Sequence, residues 1–309
     1  MEGPSELRPL APHLLAAAGP ILGTCGFVGG LARPGSYYGY SLLSKHANAD
    51  RLTTYVFRCI VRLGHYLVRT KGMHLHLTTP QLVRRADGAT SLDLFSCLVD
   101  SSHGNGENGA SHGGFLIASC APPPARPPAP TPTGPAPVDA VPPGTAACLS
   151  TGPAVAAPGV MPSTATAPGA PLGGGGALAW RCVASLAGDD SSAAAELRLA
   201  TLAYKYVIVA RFLQCELDVG AAPAEPTPLY LAAQAVLDGT NCERLAKSSR
   251  WMAMRYAMLR WGIACGTIHP RKLLTAMNPA DGLTKCLTGK PFENGRARLL
   301  GLPIPHPGL

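Results

Sequence analysis

No two of the 10 cysteines lie closer than 21 positions, and no C-x-x-C pair occurs. That excludes a zinc ribbon or finger and a compact disulfide framework. Free thiols in a reducing compartment are the simplest reading, which places the chain inside the cell. Aromatic residues (6%) and charged residues (14%) are both scarce, and alanine supplies much of the 47% apolar content. The core is therefore expected to be real but thinly filled. Acids number only 18, so any chemistry built on carboxylates has few candidates. The N-terminal apolar stretch follows Glu2 and Glu6 and is interrupted by Pro20. Neither a signal peptide nor a membrane-spanning segment is expected from it.

What the chain has in excess is positive charge, glycine and proline. The formal net charge is +8. Residues 240–309 hold 11 Lys/Arg against 3 Asp/Glu, residues 1–90 hold 10 against 4, and the middle is acidic. A basic balance suits an anionic partner such as nucleic acid without specifying one, and solvated helix faces give the same balance. A length of 309 residues allows one large or two small domains.

Three regions emerge along the chain. Residues 10–77 read as helical. Val56, Ile60, Leu63 and Leu67 recur at helical spacing, with Arg58, Arg62 and Arg69 opposite and Gly72 as a stop. Residues 121–176 hold 16 of the 31 prolines and only two charges, Arg126 and Asp139. Such a block cannot bury enough apolar surface to offset the entropy of ordering it, so a disordered insertion is expected.

The flanks of the block read as one antiparallel unit. A strand over 94–99 ends at Asp100, a second covers 115–119, and a third covers 177–186. Beyond it the pattern alternates. Helices are expected over 192–217, 234–237 and 247–261 and from about 279, with strands over 229–232 and near 267–268. The expected fold is α/β, a mixed five-stranded sheet with flanking helices, preceded by a small helical segment and interrupted by the insertion.

Three acids stand where chemistry can reach solvent from a fixed backbone. Asp100 closes an apolar strand and opens a polar loop. Glu196 lies in the first turns of the long helix, and Asp281 lies at a helix start in NPADGLTK. Two-metal phosphodiester cleavage needs several carboxylates around one cleft, since Mg²⁺ prefers oxygen ligands. Taken singly, each acid also reads as an ordinary turn or helix-start residue.

Set in order, these segments resemble the C-terminal end of a copia-type retrotransposon Pol polyprotein. Arg33-Pro34 and RCIVRLGHYLVRTKGMHL resemble the tail of the reverse transcriptase that precedes the ribonuclease H domain. Leu98-Val99-Asp100 is similar to that domain's first acid motif, and Ala179-Trp180 to its S-W strand. SSAAAEL is similar to S-S-T-E-A-E-Y, with Glu196 at the catalytic glutamate. LYLAAQAVL, SRWMAMRYAMLR and NPADGLTK follow as the remaining landmarks.

The resemblance covers about 10–120 and 177–302. It implies a helical tail over 1–80, a ribonuclease H-like domain over 92–302, and Mg²⁺ or Mn²⁺ held by Asp100, Glu196 and Asp281. The implied partners are an RNA–DNA hybrid or other nucleic acid and the remainder of a Pol polyprotein. The implied place is a cytoplasmic virus-like particle or the nucleus.

The departures bear on activity. The family's D-N pair falls on Ala232-Ala233, its histidine on Trp251 and its aspartate on Ala253. Alanine cannot coordinate a cation, so hydrolysis of the hybrid's RNA strand is expected to be weak or absent. The alternative is a catalytically dead remnant that binds nucleic acid, with Lys247, Arg250, Arg255, Arg260 and Lys285 on backbone phosphates. A host protein of coincidental fold is a third reading. No Y-x-D-D sequence occurs, so polymerase chemistry is not expected.

Overall fold

The computed structural model describes residues 10–48, 51–77, 82–84, 90–92, 95–104, 111–119, 175–184, 189–217, 226–242, 244–245 and 247–302. Most of the block expected to be a disordered insertion, 121–174, lies outside these residues.

The N-terminal segment folds as three helices: α1 (Pro12–Leu31), α2 (Pro34–Ser44) and α3 (Thr54–Arg69). Thr53 caps α3 by accepting the Val56 N–H at 3.3 Å. Its helical spacing is realised as expected, with Ile60 fully buried and Arg58, Arg62 and Arg69 exposed. Ala18, Leu22, Leu52 and Ile60 form a small core among the three helices.

One part of the sequence reading is corrected here, the interruption at Pro20. Residues 9–32 carry no Lys, Arg, Asp or Glu, and Pro12–Leu31 forms a single 20-residue helix of mean hydropathy 1.7. By length and composition it could cross a membrane. Pro20 does not break it. Pro20 and Ala16, whose carbonyl loses its helical donor, both face outward, where water can satisfy that carbonyl. Ala18, Leu22, Cys25 and Gly29 form the buried stripe.

Two short strands, β1 (Leu82–Arg84) and β2 (Thr90–Leu92), pair antiparallel. The main sheet contains β3 (Phe95–Ser102), β4 (His112–Ser119), β5 (Ala177–Ala184), β6 (Thr227–Leu231) and β7 (Ile268–Lys272), in spatial order β5-β4-β3-β6-β7. β3, β4 and β5 are antiparallel neighbours, whereas β6 runs parallel to β3 and β7 parallel to β6. β4 and β5 pair directly across the low-complexity block, with His112 opposite Ala184 and Ala118 opposite Ala177. The closing bond runs from the Ser119 N–H to the Gly176 carbonyl at 3.1 Å.

The helices are α4 (Ser192–Leu217), α5 (Gln234–Asn241), α6 (Ala253–Ala264) and α7 (Gly289–Leu300). Where one helix was expected over 247–261, a 3₁₀ turn over Lys247–Met252 precedes α6. The helix expected from about 279 is a 3₁₀ turn over Pro279–Leu283, with α7 starting later.

Strand alternation sorts the core into two layers. Cys97, Val99, Phe115, Ile117, Leu229 and Leu231 face α4 and α6, whose Ala200, Ala203, Tyr204 and Leu259 are fully or almost fully buried. Leu98 and Leu116 face Ala280, Leu283 and Leu299 on the other side. The N-terminal helices join the sheet through α2, which packs on β5. The Trp180 indole N–H also donates to the Gly29 carbonyl at 2.9 Å, near the end of α1. That bond satisfies one of the carbonyls every helix C-terminus leaves unpaired.

Candidate functional site

The site lies at the carboxyl end of the central strand. Pairing of β3 with β6 runs through Cys97↔Leu229 and Leu98↔Tyr230 and stops two residues short of Asp100. A place where strand neighbours part at their carboxyl ends is where open α/β sheets hold ligands. β3 itself continues past Asp100 to Ser102 instead of ending there, because β4 still pairs with it, Asp100 opposite Gly114. Asp100 is accordingly 3% exposed. By alternation it turns with Leu98 toward the layer holding Ala280 and Leu283.

That layer delivers Asp281. Asn278 anchors the turn at both ends of its side chain. Its Oδ1 accepts the Ala280 N–H at 3.1 Å, and its Nδ2 donates to the Val99 carbonyl at 2.9 Å. Asn278 is thus an N-cap for the 3₁₀ turn and a bolt onto β3. Gly114 makes room, because a Cβ there would stand 2.5 Å from the Leu283 Cβ.

The result is a small polar cluster. The Thr284 hydroxyl donates to Asp100 Oδ2, and Lys285 Nζ lies 2.9 Å from Asp281 Oδ1 and 3.4 Å from Asp100 Oδ2. Burial first, then the neighbouring Asp100 charge, pushes the Asp281 carboxyl up to about 6, against the pull of Lys285. Lys285 bridges the two carboxyls. Burial works against the Lys285 ammonium, but Asp100 and Asp281 outweigh it and hold its proton above the usual lysine value.

Glu196 approaches from the opposite layer. Ser191 starts α4 by accepting the Ala194 N–H at 3.1 Å, which sets Glu196 within the first turns, 4% exposed. Its Oε1 accepts the Ala233 N–H at 2.8 Å, and the nearby Ala232 amide also favours the charged form. Burial pushes the Glu196 carboxyl above its ordinary range. The two amides and Lys272 oppose that, and Asp100 adds to it. Lys272, at the end of β7, donates to the Ala232 carbonyl.

The three acids named from the sequence are thus brought to one region, but unequally. Asp100 and Asp281 share Lys285, while Glu196 lies close enough to feel the Asp100 charge and bonds the main chain at Ala233. Among the described residues no group of three or more His, Cys, Asp or Glu is arranged to hold a metal ion. The donor set does not fit a two-ion centre. Ala232 offers only a carbonyl, which Lys272 engages, and the Lys285 ammonium supplies positive charge between Asp100 and Asp281.

The cations named for phosphate contact also divide. Lys247 and Arg250 are exposed on the 3₁₀ turn before α6. Arg260 donates to the Gly239 carbonyl at 2.7 Å and stacks over Tyr256. Arg255 lines a cleft beside α4, and Lys285 is the counter-ion just described. Sequence reasoning missed Asn278, Thr284 and Lys272. Asn-Pro at 278–279 is an N-cap signal that could have flagged the first, and Lys285 follows Asp281 at the i,i+4 spacing of an ion pair. Thr284 and Lys272 carry no such local signal.

Comparison with protein-family models, curated proteins and solved structures returned no match.

Proposed function

We propose that this chain is a ribonuclease H-like domain of copia-type retrotransposon ancestry that has lost hybrid cleavage and retains nucleic-acid binding. Support for the ancestry is the ordered motif series laid on three antiparallel strands followed by helix, strand and helix. The observation that carries the loss is the fate of the carboxylates. Ala232 occupies the third acid's place, and Glu196 is engaged by the Ala233 amide that follows it.

Hydrolysis of a phosphodiester by two cations needs oxygen ligands with open positions facing the scissile phosphate. Here Lys285 already occupies the space between Asp100 and Asp281 as their shared counter-charge. Even the loss of an outer contact to a metal ligand commonly costs about 10–100-fold, and a missing ligand costs more. The protein's residual role under this reading is backbone contact, with Lys247 and Arg250 as the exposed cations and an RNA–DNA hybrid as the partner. Mg²⁺ or Mn²⁺ would bind weakly if at all. A location inside the cell, cytoplasmic or nuclear, and an origin in a longer Pol polyprotein belong to the same proposal.

The test pairs two assays on the full chain. A labelled RNA–DNA hybrid should bind with an affinity that falls steeply with salt, the log–log slope tracking the phosphates neutralised. In Mg²⁺ or Mn²⁺ the hybrid should stay intact. Robust cleavage that Glu196→Gln abolishes would overturn the loss of activity, and salt-independent or undetectable binding would overturn the retained role.

A further inference from the structure

None of the three acids lines a cleft that runs between α4 and α6 and encloses about 600 Å³. Its charged residues are Arg198 and Lys205 from α4 and Arg255 from α6, and no carboxylate lines it. The rest of the wall is mainly apolar, with Leu202, Met254 and Met258 prominent. Met254 is 82% exposed, and Trp261, two turns further along α6, is 60% exposed.

A soluble surface does not leave methionine and tryptophan open beside cations without consequence, since exposed apolar patches mark interaction sites. Trp, Met and Arg are the residues enriched where partners dock. Arg198 bonds Asp189 through Nη2 at 3.2 Å, but its Nε is buried with no hydrogen-bond partner. Lys205 and Arg255 meet no acid in the cleft wall, and Met254 has no apolar cover.

We propose that the α4–α6 cleft docks an acidic amphipathic helix of a partner protein. Its apolar face rests on Leu202, Met254 and Met258, and its carboxylates meet Arg198, Lys205 and Arg255. The spacing suits this occupant. Arg198 and Lys205 are seven residues apart on one helix, about 10 Å along its axis, so acids two turns apart on an adjacent helix face them both. Methionine side chains adapt to the incoming surface, the usual behaviour of helix-binding grooves. A phosphate track would need the cations without the apolar floor, which makes nucleic acid the poorer fit.

The test is a fluorescence-anisotropy titration of the full chain with a labelled helical peptide carrying a leucine face flanked by glutamates. Two control peptides keep that composition in scrambled order or replace glutamate by lysine. Saturable binding of the acidic helix alone is expected. Lys205→Glu with Arg255→Glu, and separately Met254→Asp, should each weaken it by about tenfold or more with unchanged thermal melting. Equal binding of all three peptides, or none, overturns the proposal. So does displacement of the peptide by an RNA–DNA hybrid or by anionic lipid vesicles when the same variants lose those ligands, because the cleft would then serve nucleic acid or membrane.

Discussion

Glu196 and Ala233, 37 residues apart, meet at 2.8 Å, carboxylate oxygen to main-chain N–H. Ala233 is the N-cap position of α5 and has no side-chain cap of its own. The acid of α4 supplies the missing acceptor at a helix start, where negative charge is favoured. A residue that the family resemblance casts as catalytic therefore serves here as a structural cap. Removing the acceptor in Glu196→Ala should cost about 1–2 kcal/mol, since the part-buried Ala233 amide loses its charged partner. Glu196→Gln, which keeps an oxygen in place, should cost less than half as much. Urea denaturation of both variants checks this, and equal stabilities would remove the cap.

The Asp100–Asp281 pair gives stability a pH dependence of definite sign. The Asp281 carboxyl titrates at about 6 in the folded chain against an ordinary value of 3.8. Between those values the folded state holds more protons than the unfolded one, so stability falls as pH rises through the window. The raised Glu196 carboxyl acts in the same direction. Denaturation midpoints followed from about pH 4 to pH 7 should decline, and Asp281→Asn should flatten that slope. An unchanged slope in the variant would assign the effect to other groups.

Gly114 is predicted to tolerate no side chain. An added Cβ would lie 2.5 Å from the Leu283 Cβ, and both neighbours are held, one by β3 pairing and the other by the Asn278 bolt. Gly114→Ala should cost about 1–3 kcal/mol as an overpacked contact. Thermal melting measures it, and a neutral substitution would mean the 279–283 turn is free to retreat.

The basic residues of the last third should separate into two classes. Arg260→Ala removes the donor to the Gly239 carbonyl and should cost about 2 kcal/mol. Lys247→Ala and Arg250→Ala, both at exposed positions, should change stability by no more than about 0.5 kcal/mol. If they contact phosphates, they should instead lower the salt slope of hybrid binding by about one each. Parallel melting and binding assays separate the two, and a stability loss at Lys247 would contradict its placement.

Much of the architecture was legible because its signals are local. α4 spans the residues its pattern predicts, 192–217, with the Ser191 cap visible as a residue type at the right place. The strands on either side of the low-complexity block pair as expected, because a long connection adds little closure cost to a hairpin. The 3₁₀ turn at 247–252 was read as helix, since its residues favour helix locally and its geometry is set by the chain entering α6. Pro20 misled in the other direction. Its effect on α1 depends on which side of the helix meets water, which is a matter of tertiary packing.

Composition and motif order by themselves determined that this chain makes a mixed α/β fold and that Asp100, Glu196 and Asp281 are its candidate acids. They also put an alanine, Ala232, where the resemblance would have a further acid. Only the tertiary structure decided what those acids do. Lys285 reaches Asp100 across 185 positions, and Glu196 turns to the Ala233 amide. Electrostatic and hydrogen-bond partners are chosen by proximity in space, and sequence separation carries no information about that until the sheet and its two layers have formed.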